Sequence, residues 1–234
     1  MAPPAAGAFR AESVALSGVI AGLRETDLRR PSPCPPWTVA DLLCHIVIAV
    51  GRIEQAIDAA SAAGDPVTDL VTAAGYYRPD ARFSAAVNAD RIDVAVALAA
   101  RLGTAGAIGA GLTAATRRSL ELIETAAADQ EVRTRHGDRM LLSQFTVTRV
   151  VELAVHGLDV AAGLHRAPWL TGQAAAVLED LLMPALSRPD IEGLRDRLGV
   201  DRAGLIAALT GRARLSGAGT AALARRGLTV LALG

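Results

Sequence analysis

The stretch that decides the fold is RVVELAVHGLDVA, residues 149–161, in which four polar side chains interrupt an otherwise apolar helix. At about 100° per residue, these side chains fall within a stripe about 80° wide on one face of the helix. Such a stripe is either the one solvated edge of a buried helix or a functional site inside a bundle. The four polar residues are Arg149, Glu152, His156 and Asp159.

Helical periodicity extends over most of the chain, and the sequence therefore predicts an all-α protein. Long helices are expected over about residues 9–23, 39–60, 81–100 and 141–164, and a further helix is expected over residues 112–126. A chain made of successive helices favours an up-and-down helix bundle.

Local signals define several boundaries. Thr38 with Asp41 three residues later resembles a capping box, which predicts that a helix begins directly after Thr38. The glycine-rich stretch 103–111 predicts a break or close helix packing, because a glycine in a helix interior costs about 1 kcal/mol. Residues 65–80 are expected to form a loop, and the polar stretch around His136 is expected to form a loop with a short hairpin.

The chain is expected to divide into two parts. Residues 1–165 form the predicted metal-binding helical bundle, and residues 166–234 form a short, mainly helical C-terminal extension that packs on it. Within the extension, a helix is predicted over about residues 173–187, followed by one or two short helices and a final apolar run.

Composition narrows the class of function. Acidic and basic residues balance at 24 each, and this zero net charge disfavours nucleic acid and anionic membranes as partners. The N-terminus lacks a secretory signal pattern and no apolar window is long enough to span a membrane, so we expect a cytoplasmic protein. A homodimer fits a bundle of this composition, but no residue identifies its surface.

The helix predicted around residues 149–161 also indicates a metal site. Glu152 and His156 lie four residues apart, so both project from the same side of adjacent turns. A carboxylate oxygen and an imidazole nitrogen are suitable ligands for a divalent metal. His45 supplies a third candidate ligand, and the alternative for it is a histidine hydrogen-bonded in the bundle interior. Three protein ligands leave coordination positions open, which is typical of catalytic sites.

Further polar side chains are candidates for orienting these ligands or for binding a substrate. A carboxylate near a ligand histidine fixes its tautomer, which suits Asp159, and Arg149 can pair with an acidic neighbour or an anionic ligand. Ordinary charge pairs at the helix surface are the alternative for both residues. Asp41 and Arg52 share the helix face of His45 and complete the set of candidates.

No protein nucleophile is indicated by the sequence. Cys34 lies in a proline-rich loop, and Cys44 faces about 100° away from His45 on the helix. Both cysteines are interpreted as structural.

Two motifs carry a resemblance to a known family: PCPPWTVADLLCHI at residues 33–46 and TRVVELAVHGLDVA at residues 148–161. They resemble the DinB-like superfamily and, within it, the mycothiol-dependent maleylpyruvate isomerase N-terminal domain family. The resemblance covers roughly residues 9–165 and implies a four-helix bundle. It also implies a divalent metal, zinc in the isomerase, together with a low-molecular-weight thiol coenzyme. The metal ligands that it implies are His45, Glu152 and His156.

The resemblance ends towards the C-terminus. The family's isomerase continues with an α/β domain that contributes an arginine to the site, whereas the tail of this chain is helical in pattern. No residue of the tail matches that arginine by motif. The arginine-only, alanine-rich composition suits the actinobacterial hosts in which mycothiol occurs.

The resulting hypothesis is a metal-dependent thiol S-transferase or isomerase that acts on a small electrophilic metabolite. A mycothiol-type thiol bound to the metal would ionise near neutral pH and attack the electrophile. One alternative is a non-catalytic helical ligand-binding or regulatory protein, which metal analysis would distinguish from an enzyme. The other is a metal-dependent hydrolase that activates water, which thiol dependence would distinguish from a transferase.

Overall fold

The computed structural model describes residues 4–62, 69–77 and 84–231 of the chain. These ranges contain eleven helices and one two-stranded antiparallel hairpin, which confirms the all-α prediction. The elements are α1 (Pro4–Ala21), α2 (Glu25–Leu28), α3 (Val39–Ser61), α4 (Ala73–Tyr76), α5 (Ala85–Leu102), α6 (Ala105–Thr125), β1 (Glu131–Arg133), β2 (Arg139–Leu141), α7 (Leu142–Leu164), α8 (Gly172–Leu182), α9 (Arg188–Leu198), α10 (Arg202–Leu209) and α11 (Gly217–Ala224).

Four long helices form the bundle: α1, α3, α6 and α7. Helices α1 and α3 each pack against both α6 and α7, so they lie diagonally across the core. Helix α5 packs mainly on α3. The bundle interior is built from apolar side chains that are almost completely buried, including Phe9, Leu16, Leu42, Ile46, Ile53 and Leu153.

The local boundary signals agree with the structure in two places. Helix α3 begins at Val39 because Thr38 and Asp41 close a capping box, as their spacing predicts. The hairpin expected around His136 is formed by β1 and β2, which pair in antiparallel register. Only part of the loop expected over residues 65–80 lies within the described residues, and that part contains the short helix α4.

The glycine-rich stretch 103–111 breaks the helical path at its beginning only. Gly103 ends α5 with a positive φ of 69°, and Thr104 caps α6, which then continues through the remaining glycines at 117° to α5. Close packing explains one of them, because a Cβ at Gly109 would lie 3.3 Å from Cγ2 of Ile20.

Among the described residues no single helix meets the length and apolarity needed to cross a membrane, although the bent α5–α6 pair does so when taken together.

The C-terminal extension packs on the bundle through α8, which contacts α1 and α7. Helix α8 ends at Leu182, short of the predicted residue 187, because Pro184 disfavours helical backbone in the residue before it. Three short helices follow where one or two were expected. The division of the chain at residue 165 remains a prediction. Apolar side chains form a small second core here: Met183, Ile191, Leu194, Leu205, Leu209 and Leu223.

A buried carboxylate joins the extension to α1. Oε2 of Glu12 accepts hydrogen bonds from the backbone N–H and the hydroxyl of Thr171, the residue that caps α8. Its other oxygen, Oε1, has no hydrogen-bond partner among the described residues. Burial raises the pKa of Glu12, and the hydrogen bonds from Thr171 offset part of this effect.

Glu12→Gln is expected to make the protein more stable than wild type at neutral pH. The pKa of Glu12 is higher in the folded protein than its unfolded value near 4.5. The protonated carboxyl group therefore favours folding at low pH, and this contribution to stability is lost as the pH rises through the folded-state pKa. Urea unfolding of both proteins between pH 4.5 and pH 8 measures the difference, which should shrink as the pH falls. A difference that does not vary with pH would contradict the raised pKa.

Gly163 allows α7 to approach the segment that carries Cys34 and Trp37. A Cβ at this position would lie 3.2 Å from the carbonyl oxygen of Pro31 and 3.1 Å from Cγ2 of Val39. We expect Gly163→Val to destabilise the protein by about 1–3 kcal/mol, because a packed backbone would have to move.

The matched control for this substitution is Gly18→Val in α1. A Cβ at Gly18 would meet no other atom within 4 Å, so we expect its effect to be within about 0.5 kcal/mol. Denaturant unfolding of the two variants measures both effects. Equal stabilities for the two variants would show that the close approach at Gly163 imposes no constraint.

Candidate metal centre

Helices α3 and α7 bring the three predicted ligands together. Nε2 of His45 lies 3.3 Å from Oε2 of Glu152, and Nε2 of His156 lies 3.4 Å from the same oxygen. The two imidazole rings meet edge to face, with their centroids 4.9 Å apart. One donor atom from each residue therefore faces a common point between the helices, and the three atoms all lie within 4.8 Å of one another.

The distances from Oε2 of Glu152 to the two imidazole nitrogens fit a tetrahedral metal ion. Ligand atoms that lie about 2.0–2.1 Å from a tetrahedral zinc are separated from each other by about 3.3–3.4 Å. Both nitrogen–oxygen distances in the triad have this length. Two imidazoles and one carboxylate also form a donor set that zinc commonly takes in catalytic sites.

The protonation of the triad follows from its burial and from its internal contacts. Burial is the main reason why the pKa of His45 falls to about 4, so this ring is neutral and able to act as a ligand. Burial also disfavours the Glu152 carboxylate, but hydrogen bonds from both imidazoles and the charge of Arg149 hold its pKa well below the ordinary value. A cation at this point would meet an ionised carboxylate and one neutral imidazole.

Asp159 orients the second imidazole. Burial lowers the pKa of His156, but hydrogen bonds to Asp159, Cys34 and Glu152 raise it well above its ordinary value overall. The ring donates from Nδ1 to Oδ2 of Asp159 over 2.9 Å, which leaves Nε2 directed towards Glu152. Because a metal ion binds the unprotonated Nε2, metal binding here would release a proton.

The C-terminal extension reaches this site through Arg212. Its Nη2 donates to Oδ2 of Asp159 over 3.1 Å, and its Nε lies 3.3 Å from Oδ1. The thiol of Cys34 also lies 3.4 Å from Oδ2 of Asp159. Cys34, His156 and Asp159 form a second group with donor atoms close enough to hold a metal ion. The positive guanidinium beside Asp159 disfavours a cation at this second group.

Two of these residues were not predicted to be part of the site. Cys34 was interpreted as structural, yet it lies beside Asp159, and the Pro-Cys-x-x-Trp motif was the available signal for it. Arg212 lies 53 residues from Asp159 and belongs to no motif. Trp37, from the same motif as Cys34, stacks on the ring of His45 with centroids 4.8 Å apart.

The other candidate residues differ in position. Arg149 is 3% exposed and its Nη2 lies 3.8 Å from Oε1 of Glu152, which places it beside the triad. Arg52 lines the adjoining cavity.

Asp41 is not among the described residues that line this cavity, because its carboxylate accepts hydrogen bonds from the backbone N–H and hydroxyl of Thr38 in the cap of α3. Cys44 is fully buried, and burial is the main reason why its pKa rises to about 12.

A cavity of about 1110 Å³ opens onto the triad. Its wall is formed by α3, α5, the β1–β2 hairpin, α7 and the C-terminal extension. This volume slightly exceeds the usual range of about 300–1,000 Å³ for small-molecule sites, and it leaves room for more than one small ligand.

Asp159→Asn is expected to weaken metal binding by about 10–100-fold, the usual effect of removing the carboxylate that orients a ligand histidine. The amide can no longer hold the Nδ1 proton of His156 with a full negative charge. Competition with a chromogenic zinc chelator measures the affinity. Asp58→Asn, at an exposed position of α3, is the control and should bind zinc like wild type. Equal affinity in Asp159→Asn and wild type would exclude this orienting role.

Comparison with known proteins assigns the fold to one family. The model of the mycothiol maleylpyruvate isomerase N-terminal domain matches residues 9–161, which is well over half of the chain. The chain belongs to this family. No curated protein matches it.

A solved structure extends the likeness beyond this domain. The crystal structure of the mycothiol-dependent maleylpyruvate isomerase matches with a TM-score of 0.54 at 14% identity. The match covers 89% of this chain and 88% of that chain, so it includes part of the C-terminal extension. At this identity the likeness shows the shared fold, and it confirms the DinB-like bundle that the sequence motifs predict.

Proposed function

We propose that this chain is a metal-dependent thiol S-transferase or isomerase that acts on a small electrophilic metabolite. The observation that carries the proposal is the convergence of three donor atoms from His45, Glu152 and His156 at the base of an open cavity. Membership of a family named after a mycothiol-dependent isomerase supports mycothiol or a similar thiol as the coenzyme. The two free cysteines agree with a reducing compartment such as the cytoplasm.

Each residue of the site has a definite part in this proposal. A divalent metal, with zinc the expected ion, supplies Lewis acidity that keeps a bound thiol ionised near neutral pH. His45, Glu152 and His156 would hold the ion, while Asp159 fixes the orientation of His156 and Arg212 fixes that of Asp159. Trp37 covers one face of His45 and shields it from solvent. Cys44, buried and with a pKa of about 12, is unsuited to serve as a nucleophile.

The test is thiol-dependent product formation by zinc-loaded protein. Mycothiol is incubated with a panel of α,β-unsaturated carbonyl compounds, and mass spectrometry and NMR detect thiol adducts and isomerised products. We expect products above the uncatalysed rate with wild type and none above it with His45→Ala. His165→Asn, outside the described cavity wall, is the control and should keep full activity.

Other outcomes would favour other functions. Turnover of hydrolysable substrates without any thiol would favour the metal-dependent hydrolase. Absence of bound metal from protein purified without chelators would favour the non-catalytic ligand-binding protein. A homodimer remains a prediction, to be tested by light scattering.

A further inference from the structure

The two oxygens of the Glu152 carboxylate face different partners. Oε2 lies 3.3 Å from Nε2 of His45 and 3.4 Å from Nε2 of His156, where the three donor atoms of the triad converge. Oε1 forms an ion pair with Arg149, with Nη2 of the guanidinium 3.8 Å away. One oxygen is therefore directed at the candidate metal position and the other at a positive charge.

Contacts that do not involve Glu152 hold the guanidinium of Arg149 in place. Its Nη1 donates to the carbonyl oxygen of Ala49 over 3.2 Å, and its Nε donates to the hydroxyl of Thr148 over 3.1 Å. Its Cζ also lies 4.6 Å from the ring centroid of Phe145, which is a cation–π contact. These contacts fix the position of Nη2, and Oε1 of Glu152 is the anionic atom that it faces.

The hydrogen bond to Ala49 places this charge at the level of the triad. Ala49 lies four residues after His45 on α3, and Arg149 lies three residues before Glu152 on α7. Arg149 thus connects the two helices that carry the three candidate ligands. Its side chain is only 4% exposed, so water does little to screen its charge from the carboxylate.

The number of oxygens that Glu152 supplies decides how open the metal site is. A carboxylate binds a metal ion through one oxygen or through both. With one oxygen, the triad supplies three donors and leaves a tetrahedral ion one open position. With both oxygens, the same three residues supply four donors and leave none. The second mode would also bring the cation close to Oε1, the oxygen that faces the guanidinium.

We propose that Arg149 is a positioning residue that limits Glu152 to one metal–oxygen bond, through Oε2, and so keeps a coordination position open for the thiol. Its positive charge attracts Oε1 and repels a cation that approaches that oxygen. The proposal rests on the proposed function, because it concerns the ion that the triad would hold. It goes beyond that function in assigning the open position to a residue that is not a ligand.

Crystal structures of the zinc-loaded protein measure the number of bonds directly. In wild type, Oε2 of Glu152 should lie about 2.0–2.2 Å from the ion and Oε1 should lie outside bonding distance. In Arg149→Met, which removes the charge and keeps an unbranched side chain, both oxygens should reach bonding distance. Arg149→Lys keeps a positive charge and should retain the single bond. A loss of packing alone would not add a metal–oxygen bond.

The open position is measured by titrating the cobalt(II)-loaded protein with 2-mercaptoethanol. A thiolate bound to cobalt(II) gives a charge-transfer band in the near ultraviolet. We expect Arg149→Met to need at least about tenfold more thiol than wild type for half of the full band. Arg118→Met removes the arginine of an exposed ion pair with Glu54 outside the site, and this control should titrate like wild type.

Circular dichroism checks that the variants are folded, and Arg149→Gln, which also lacks the charge, replaces Arg149→Met if the latter does not fold. Two bonds from Glu152 to zinc in wild type would overturn the proposal. One bond in both wild type and the uncharged variant, or equal thiol titrations of the two, would also overturn it. Wild type without any metal at the triad would contradict the proposed function itself, and this inference with it.

Discussion

Glu152→Gln is expected to lower the metal affinity by about 100-fold or more, and thiol-dependent turnover should fall to about 1% of wild type or less. Oε2 of Glu152 is the atom that both imidazoles face, at 3.3 and 3.4 Å. An amide at this position supplies no negative charge to a cation and places a competing N–H₂ group near the two rings. Zinc content by mass spectrometry and turnover with saturating thiol measure the two effects.

The control for this prediction is Glu54→Gln on α3. Glu54 forms an exposed ion pair with Arg118 at 2.9 Å, and its removal should change neither zinc content nor turnover. Circular dichroism confirms that both variants are folded. Stoichiometric zinc and full turnover in Glu152→Gln would show that its carboxylate holds no metal.

Metal removal is expected to lower the thermal stability by about 10 °C. The three ligands belong to two helices whose sequence positions are far apart, so the metal binds only when α3 and α7 are packed together. A ligand present at 1,000 times its dissociation constant stabilises the folded state by about 4 kcal/mol. For a domain of this size, each kcal/mol corresponds to about 2–4 °C in Tm.

Calorimetric scans of zinc-loaded and chelator-treated protein measure this shift. The matched control is His45→Ala, which lacks one ligand and should show the same Tm with and without the chelator. A similar shift in wild type and His45→Ala would place the stabilising ion elsewhere, and no shift in wild type would contradict metal binding by the folded protein.

The parts of the fold that depend on local chemistry were predictable from the sequence. The capping box at Thr38 defined the beginning of α3, and the spacing of Glu152 and His156 placed both on one face of α7. That His45 meets this pair depends on how two helices pack. It was predicted because His45 is an unusual polar residue on an apolar helix and because the two motifs resemble a known family.

Contacts between distant segments account for what the sequence did not predict. Arg212 reaches Asp159 only because the extension folds back on α7, and no local pattern marks an arginine for such a contact. Asp41 shares a helix face with His45 by periodicity, but its position at the start of α3 makes it part of the cap. For the glycines after Gly103 the sequence allowed either a helix break or close helix packing. At Gly109 the close packing against Ile20 outweighs the low helix propensity of glycine, and α6 continues through it.

The most direct test of the metal centre is anomalous diffraction at the zinc edge from crystals of protein purified without chelators. We expect one peak per chain, about 2.0–2.2 Å from Nε2 of His45, Nε2 of His156 and a carboxylate oxygen of Glu152. A zinc-replete crystal with no peak among these three atoms, or with its peak only at the Cys34 thiol, would contradict it.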